Sequence, residues 1–139
     1  MKTKSQLKVL ARKRRHLRVR RRLSGTAERP RLCVFKSLKH ISGILVDDGE
    51  LRTITSLSTL SPEVKKAIAE VKGKTAKSRV VGVLLGKKAL SLGITKIAFD
   101  RGGYLFHGRV KALCDGFMES LSGTEKTAAK SSPAGDRKK

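Results

Sequence analysis

The sequence predicts one α/β domain: a mixed sheet of three antiparallel strands plus one parallel strand, packed by two long helices and preceded by a basic N-terminal arm. Three observations carry this. The 139 residues, 38% hydrophobic, suffice for a single core. Short strand-like apolar runs before residue 60 give way to helical spacing after it. Residues 1–31 hold 13 basic residues and one acid, whereas 32–121 hold 15 and 8.

The arm, 1–30, centres on Arg12-Lys13-Arg14-Arg15-His16-Leu17-Arg18-Val19-Arg20-Arg21-Arg22. Leu7, Leu10 and Leu17 have a sparse helical spacing that suits a helix formed on binding, and Ser24-Gly25-Thr26 with Arg29-Pro30 ends it. The folded domain, 31–121, opens on Leu32-Cys33-Val34-Phe35, apolar on both alternate faces as in a strand covered on two sides. Ile41 to Val46 is the second strand. Asp47-Asp48-Gly49-Glu50 is a hairpin turn in which Asp-Gly supplies positive φ angles. Leu51 to Thr59 is the third strand, and Ser61-Pro62-Glu63 starts a short helix ending near Val71. Thr75 to Leu92 is the first long helix, with Val81, Leu84, Leu85, Ala89 and Leu92 on one face; Gly82 and Gly86 suit a close approach to the sheet. Ile94 to Phe99 is a strand, parallel to a neighbour because a helix precedes it. The second long helix runs from about His107 to Leu121, with Val110, Leu113, Cys114, Phe117 and Leu121 in phase. From Ser122 to Lys139 a polar Ser/Lys/Ala/Gly composition predicts a disordered tail.

Composition excludes several functions. The longest apolar run, Val80 to Gly86, is far short of the ~20 residues of a membrane-spanning helix, and no apolar stretch follows the basic start as in a secretory signal. An Arg-rich, acid-poor start also fits an organelle transit peptide. Cys33 and Cys114 lack metal-ligand spacing and read as small core residues in a reducing compartment. Gly82-Val83-Leu84-Leu85-Gly86-Lys87-Lys88 has three residues between its glycines and no Ser/Thr after Lys, so it is not a phosphate-binding loop. The strand order resembles ribonuclease-H-like nucleases, but 31–36 and 75–92 contain no acid for a two-metal site, and Asp100 stands alone. Neither enzyme chemistry nor a cofactor is expected.

A net charge of +22 points instead to nucleic acid. Guanidinium groups bind phosphate bidentately, and each neutralised phosphate releases counterions. With Phe35, Phe99 and Phe117 assigned to the core, only Tyr104 and Phe106 remain for base contact, so binding should rest on phosphates and the shape of structured RNA.

Two segments then carry a resemblance. Arg29-Pro30-Arg31-Leu32-Cys33-Val34-Phe35-Lys36-Ser37, with Lys39-His40-Ile41 and Val46-Asp47-Asp48, resembles the start of the folded domain of bacterial-type large-subunit ribosomal protein eighteen. Phe99-Asp100-Arg101-Gly102-Gly103-Tyr104-Leu105-Phe106-His107-Gly108-Arg109-Val110-Lys111-Ala112-Leu113 resembles that family's signature. The resemblance covers about residues 5–121. It implies an α/β fold, binding to 5S rRNA and attachment of that RNA to large-subunit rRNA beside neighbouring proteins of the central protuberance. Its expected location is a cytoplasmic ribosome, with an organelle ribosome the other option. Two departures stand out: Ile44 replaces a usual Gln, and Met118-Glu119-Ser120-Leu121 leads into a polar tail instead of the family's closing segment.

The expected rRNA-binding residues are Arg12, Lys13, Arg14, Arg15, Arg18, Arg20, Arg21, Arg22, Arg29 and Arg31 in and beside the arm; Lys36, Lys39 and His40 at the first strand connection; and Arg101, Gly102, Gly103, Tyr104, His107, Arg109 and Lys111 in the signature. Gly102 and Gly103 are read as a backbone nest for an anion, with His107, Arg109 and Lys111 in the first turn of the following helix. The alternative function is a general chromatin-like nucleic-acid binder in which the arm acts alone.

Overall fold

The computed structural model of the chain describes residues 1–126. Its elements run α1 (Lys4–Arg20), β1 (Arg31–Lys36), β2 (Ile41–Asp47), β3 (Arg52–Ser58), α2 (Pro62–Ile68), α3 (Lys74–Ser91), β4 (Ala98–Asp100) and α4 (Arg109–Lys126). The sheet order is β3-β2-β1-β4. β1 pairs antiparallel with β2 and parallel with β4, and β2 pairs antiparallel with β3. The α/β class and the three-plus-one mixed sheet are those read from the sequence.

One sheet face makes the core. Leu32 and Val34 of β1, Ile41 and Leu45 of β2 and Leu57 of β3 are buried with Val81, Leu85 and Ala89 of α3 and Val110, Leu113 and Phe117 of α4. At Gly43 a Cβ would meet the Leu85 and Leu113 side chains, which places both helices over this face. The two helices also lie on each other more closely than expected. A Cβ at Gly82 would sit 2.1 Å from the Leu113 carbonyl oxygen, and one at Gly86 would sit 2.5 Å from the Ser120 Cβ. These glycines therefore open α3 to α4, not to the sheet.

The other face differs from the expectation of a strand covered on both sides. Phe35, assigned to the core from sequence, is 55% exposed. Strand alternation turns Leu32 and Val34 inward and leaves Arg31, Cys33 and Phe35 on the outer face. Cys33 and Cys114 are free and half-buried. Burial pushes both thiols up, Cys114 to about 11 with Asp115 adding to the effect.

Several boundaries shift for local reasons. The hairpin turn is Asp48–Leu51. The Asp47 carboxylate accepts the Gly49 and Glu50 N–H groups, and the positive φ, 53°, falls on Leu51 rather than on Gly49. β4 begins four residues late because the Ile94 N–H bonds back to the Ala89 carbonyl and pairing with β1 starts at Ala98. At α4 the His107 N–H turns back to Leu105, so helical bonding begins with Ala112 to Gly108. α4 continues past Leu121 to Lys126, within the segment expected as tail, and 127–139 lie outside the described residues.

Candidate nucleic-acid interface

The arm folds as a 17-residue helix started by a capping box: the Thr3 hydroxyl accepts the Gln6 N–H, and the Gln6 carbonyl oxygen Oε1 accepts the Thr3 N–H. None of its residues is buried. It is nevertheless seated on the outer side of the sheet by polar contacts. Arg12, His16 and Arg20, at i, i+4 and i+8, share one helix face. The Arg12 guanidinium lies 4.9 Å from the centre of the Tyr104 ring, His16 Nε2 is 2.9 Å from Asp100 Oδ2, and Arg20 Nη2 is 3.5 Å from Asp48 Oδ1. Arg15 Nε donates to the Gly103 carbonyl at 3.0 Å. By the same geometry Arg14 and Arg21 fall on the side away from His16 and Arg18 on the flank, where it lines a cleft with Val19, Arg22, Leu23 and Phe99; all three, with Lys13 and Arg22, are exposed.

Beneath the arm lies a fully buried carboxylate. Asp100 accepts Arg31 Nη1 at 2.7 Å, the His16 ring and the Gly102 N–H at 2.9 Å. Burial pushes this carboxyl up, but the Gly102 N–H, His16 and Arg31 outweigh it and hold it below the ordinary range. Asp48 takes the rest of the Arg31 guanidinium, at 2.9 and 3.1 Å, together with the Gly25 N–H at 2.7 Å. Arg31 is the main reason the Asp48 carboxyl falls to about 2, and Asp48 raises Arg31 in return. His16, Cys33 and Asp100 place three metal-type ligand atoms within 4.8 Å of one another, but Arg31 already occupies the shared carboxylate oxygen. The arrangement is an ion-pair cluster.

This geometry places three of the expected groups in contacts within the chain. Arg31 is buried, and three of its five guanidinium N–H groups are taken by Asp48 and Asp100. Tyr104 is buried; its hydroxyl donates to the Lys36 carbonyl, and its ring has the Arg12 guanidinium at 4.9 Å and the Lys36 ammonium at 5.2 Å from its centre. Gly102 and Gly103 are not an open anion nest. Gly102 gives its N–H to Asp100, while Gly103, at φ 82°, has its missing Cβ position 2.4 Å from the Arg12 carbonyl oxygen. The loop is folded around an internal anion and against the arm.

The remaining candidates lie in separate places. Arg29 is exposed and donates to the Ile97 carbonyl; Lys39 is exposed; His40 Nδ1 is 2.8 Å from the Thr59 hydroxyl. His107 and Lys111 line a cleft of about 740 Å³ where the N-termini of α3 and α4 meet. Lys72, Lys74 and Arg79 line it too, with Asp115 the one acid among the lining residues. Arg79 pairs with Glu119, and Lys74 Nζ donates to the Leu38 carbonyl, tying the cleft to the β1–β2 turn. Sequence reasoning missed Lys72, Lys74 and Arg79 because they are scattered singly along the chain; the acid-free first turn of α3 was the available signal. Arg101 and Arg109 are half-buried outside that cleft, and Arg109 Nη1 is buried with no hydrogen-bond partner among the described residues.

Comparison with known proteins identifies the family. Residues 6–121 match the family described as ribosomal L18 of archaea, bacteria, mitochondria and chloroplast. The chain is 50% identical over 117 residues to the large ribosomal subunit protein uL18 of Thermotoga petrophila, covering 84% of this chain and 95% of that protein. It is 52% identical over 105 residues to uL18 of Thermomicrobium roseum (76% and 85%) and 48% identical over 110 residues to uL18c of Cyanophora paradoxa (79% and 91%). With such a match over most of its length, the chain belongs to the ribosomal L18 family and is a protein of the large ribosomal subunit.

Proposed function

We propose that the chain is an RNA-binding structural component that holds 5S rRNA and helps attach it to the large-subunit rRNA of the central protuberance, beside neighbouring proteins there. The observation that supports this most is the sorting of charge on α1: Arg12, His16 and Arg20 engage the body, while Arg14, Arg18 and Arg21 stay exposed, spaced about one helical turn apart. A row at that spacing suits successive phosphates of a folded RNA, and Lys39, His107 and Lys111 are exposed cations or hydrogen-bonding groups elsewhere on the domain. No catalytic step is assigned: Asp100 is closed off by Arg31, and β1 and α3 carry no acid.

The test is equilibrium binding of the full chain to 5S RNA and to an unrelated duplex at matched salt. Tighter binding to 5S RNA supports the reading. Equal binding would favour a general basic binder. Arg101→Ala and Arg109→Ala should each weaken 5S binding by about 1.5–3 kcal/mol, the scale of a charge-assisted hydrogen bond, and weaken duplex binding less. Unchanged affinity in both variants would remove the signature arginines from the interface.

A further inference from the structure

We propose that the Asp100-Arg101-Gly102-Gly103-Tyr104 loop is the receptor for the arm helix, and that His16 and Asp100 are positioning residues that fix how the arm presents its arginines to RNA. Apart from the Arg101 side chain, the loop's polar side chains, the Gly102 N–H and the Gly103 carbonyl are engaged by α1 and by the rest of the chain. Asp100 is 0% exposed and joins His16 of the arm to Arg31 of β1. The Gly103 carbonyl receives Arg15, and Tyr104 receives Arg12. Gly103 also makes room: a Cβ there would stand 2.4 Å from the Arg12 carbonyl and 3.2 Å from the His16 nitrogen.

No continuous apolar stripe does this work: α1 buries no residue fully, and its half-buried Leu10, Ala11 and Val19 do not share one face. The helix is oriented by directional polar contacts to single atoms, and these set its rotation about its own axis. Rotation matters because, at 100° per residue, Arg14 and Arg21 fall on the side of α1 away from His16, and Arg18 falls on the flank, about 60° from the body-contacting Arg15. A helix freed from the loop keeps its charge but loses the fixed direction of that row. Its attraction to any polyanion then survives while its preference for one RNA shape falls, since preorganisation is what a specific surface adds to bulk charge.

This proposal rests on the reading that the chain prefers 5S RNA, and the experiment separates the two. His16→Ala removes the contact to Asp100 and leaves all 33 Lys and Arg in place. The full-length variant should lose about tenfold in affinity for 5S RNA, the loss expected for one hydrogen bond to a charged group, with no more than about twofold loss on an unrelated duplex. Its salt slope on 5S RNA should match wild type, and tryptic cleavage within 12–22 of the free protein should be faster. His16→Gln, whose amide can donate to the same carboxylate, should restore much of both losses. Gly103→Val should reproduce the His16→Ala pattern by crowding Arg12, with circular dichroism reporting whether the domain remains folded. A wild type without preference for 5S RNA would overturn the functional reading and the proposal with it. A wild-type preference that His16→Ala keeps, or an equal loss on both RNAs, would overturn the positioning role alone.

Discussion

Asp48 and the two cysteines show what single groups contribute. The Asp48 carboxyl is lowered from 3.8 to about 2 by Arg31 and the Gly25 N–H, so its stabilising effect is complete above pH 3.8 and is lost as pH falls through 2. Asp48→Asn should therefore cost up to about 2 kcal/mol at pH 7, and the gap from wild type should close as the pH approaches 2. Urea unfolding at a series of pH values measures this; a gap independent of pH would mean that the charge is not what stabilises. Cys114, pushed up to about 11, and Cys33, also raised, should stay thiols at neutral pH. Both should react more slowly with a disulfide reagent at pH 7.5 in the native chain than after urea unfolds it, and equal rates in the two states would contradict the burial described.

Among the elements, the α3–α4 pair carries the sharpest packing constraint. Gly82→Ala puts a Cβ 2.1 Å from a helix carbonyl that cannot rotate away, so it should destabilise by about 1–3 kcal/mol or more by forcing the helices apart. Thermal melting checks it; a melting temperature unchanged from wild type would refute the close contact. This scale also shows what was legible in the sequence. Strands and long helices followed from apolar periodicity, as with Val81, Leu85 and Ala89 on α3. The partner of Gly82 did not, because spacing says that a helix approaches something without saying what. Phe35 was misplaced because alternation does not reveal which face lacks a cover. The seating of α1 was hidden for a different reason: its contact stripe is Arg12, His16 and Arg20, and a polar stripe leaves no hydropathy signal. The signature loop was recognisable as a site, but its anion proved to be Asp100, eighty-four residues from its arm partner His16.

At the scale of the whole molecule, the +22 charge is divided into cations that build the structure and cations that face outward. Arg31 belongs to the first class, and Arg14, Arg18 and Arg21 to the second. A protein in which that division matters should lose salt dependence when the outward row is neutralised and keep its fold. The direct measurement is the dependence of 5S RNA affinity on salt concentration for wild type and for the full-length Arg14→Gln/Arg18→Gln/Arg21→Gln variant. With three phosphate contacts removed at about 0.7–0.9 each, the slope should fall by roughly 2–3 units, and the preference for 5S RNA over an unrelated duplex should shrink. A variant with the wild-type slope and the wild-type preference would contradict the account, because the arm's outward arginines would then be bystanders.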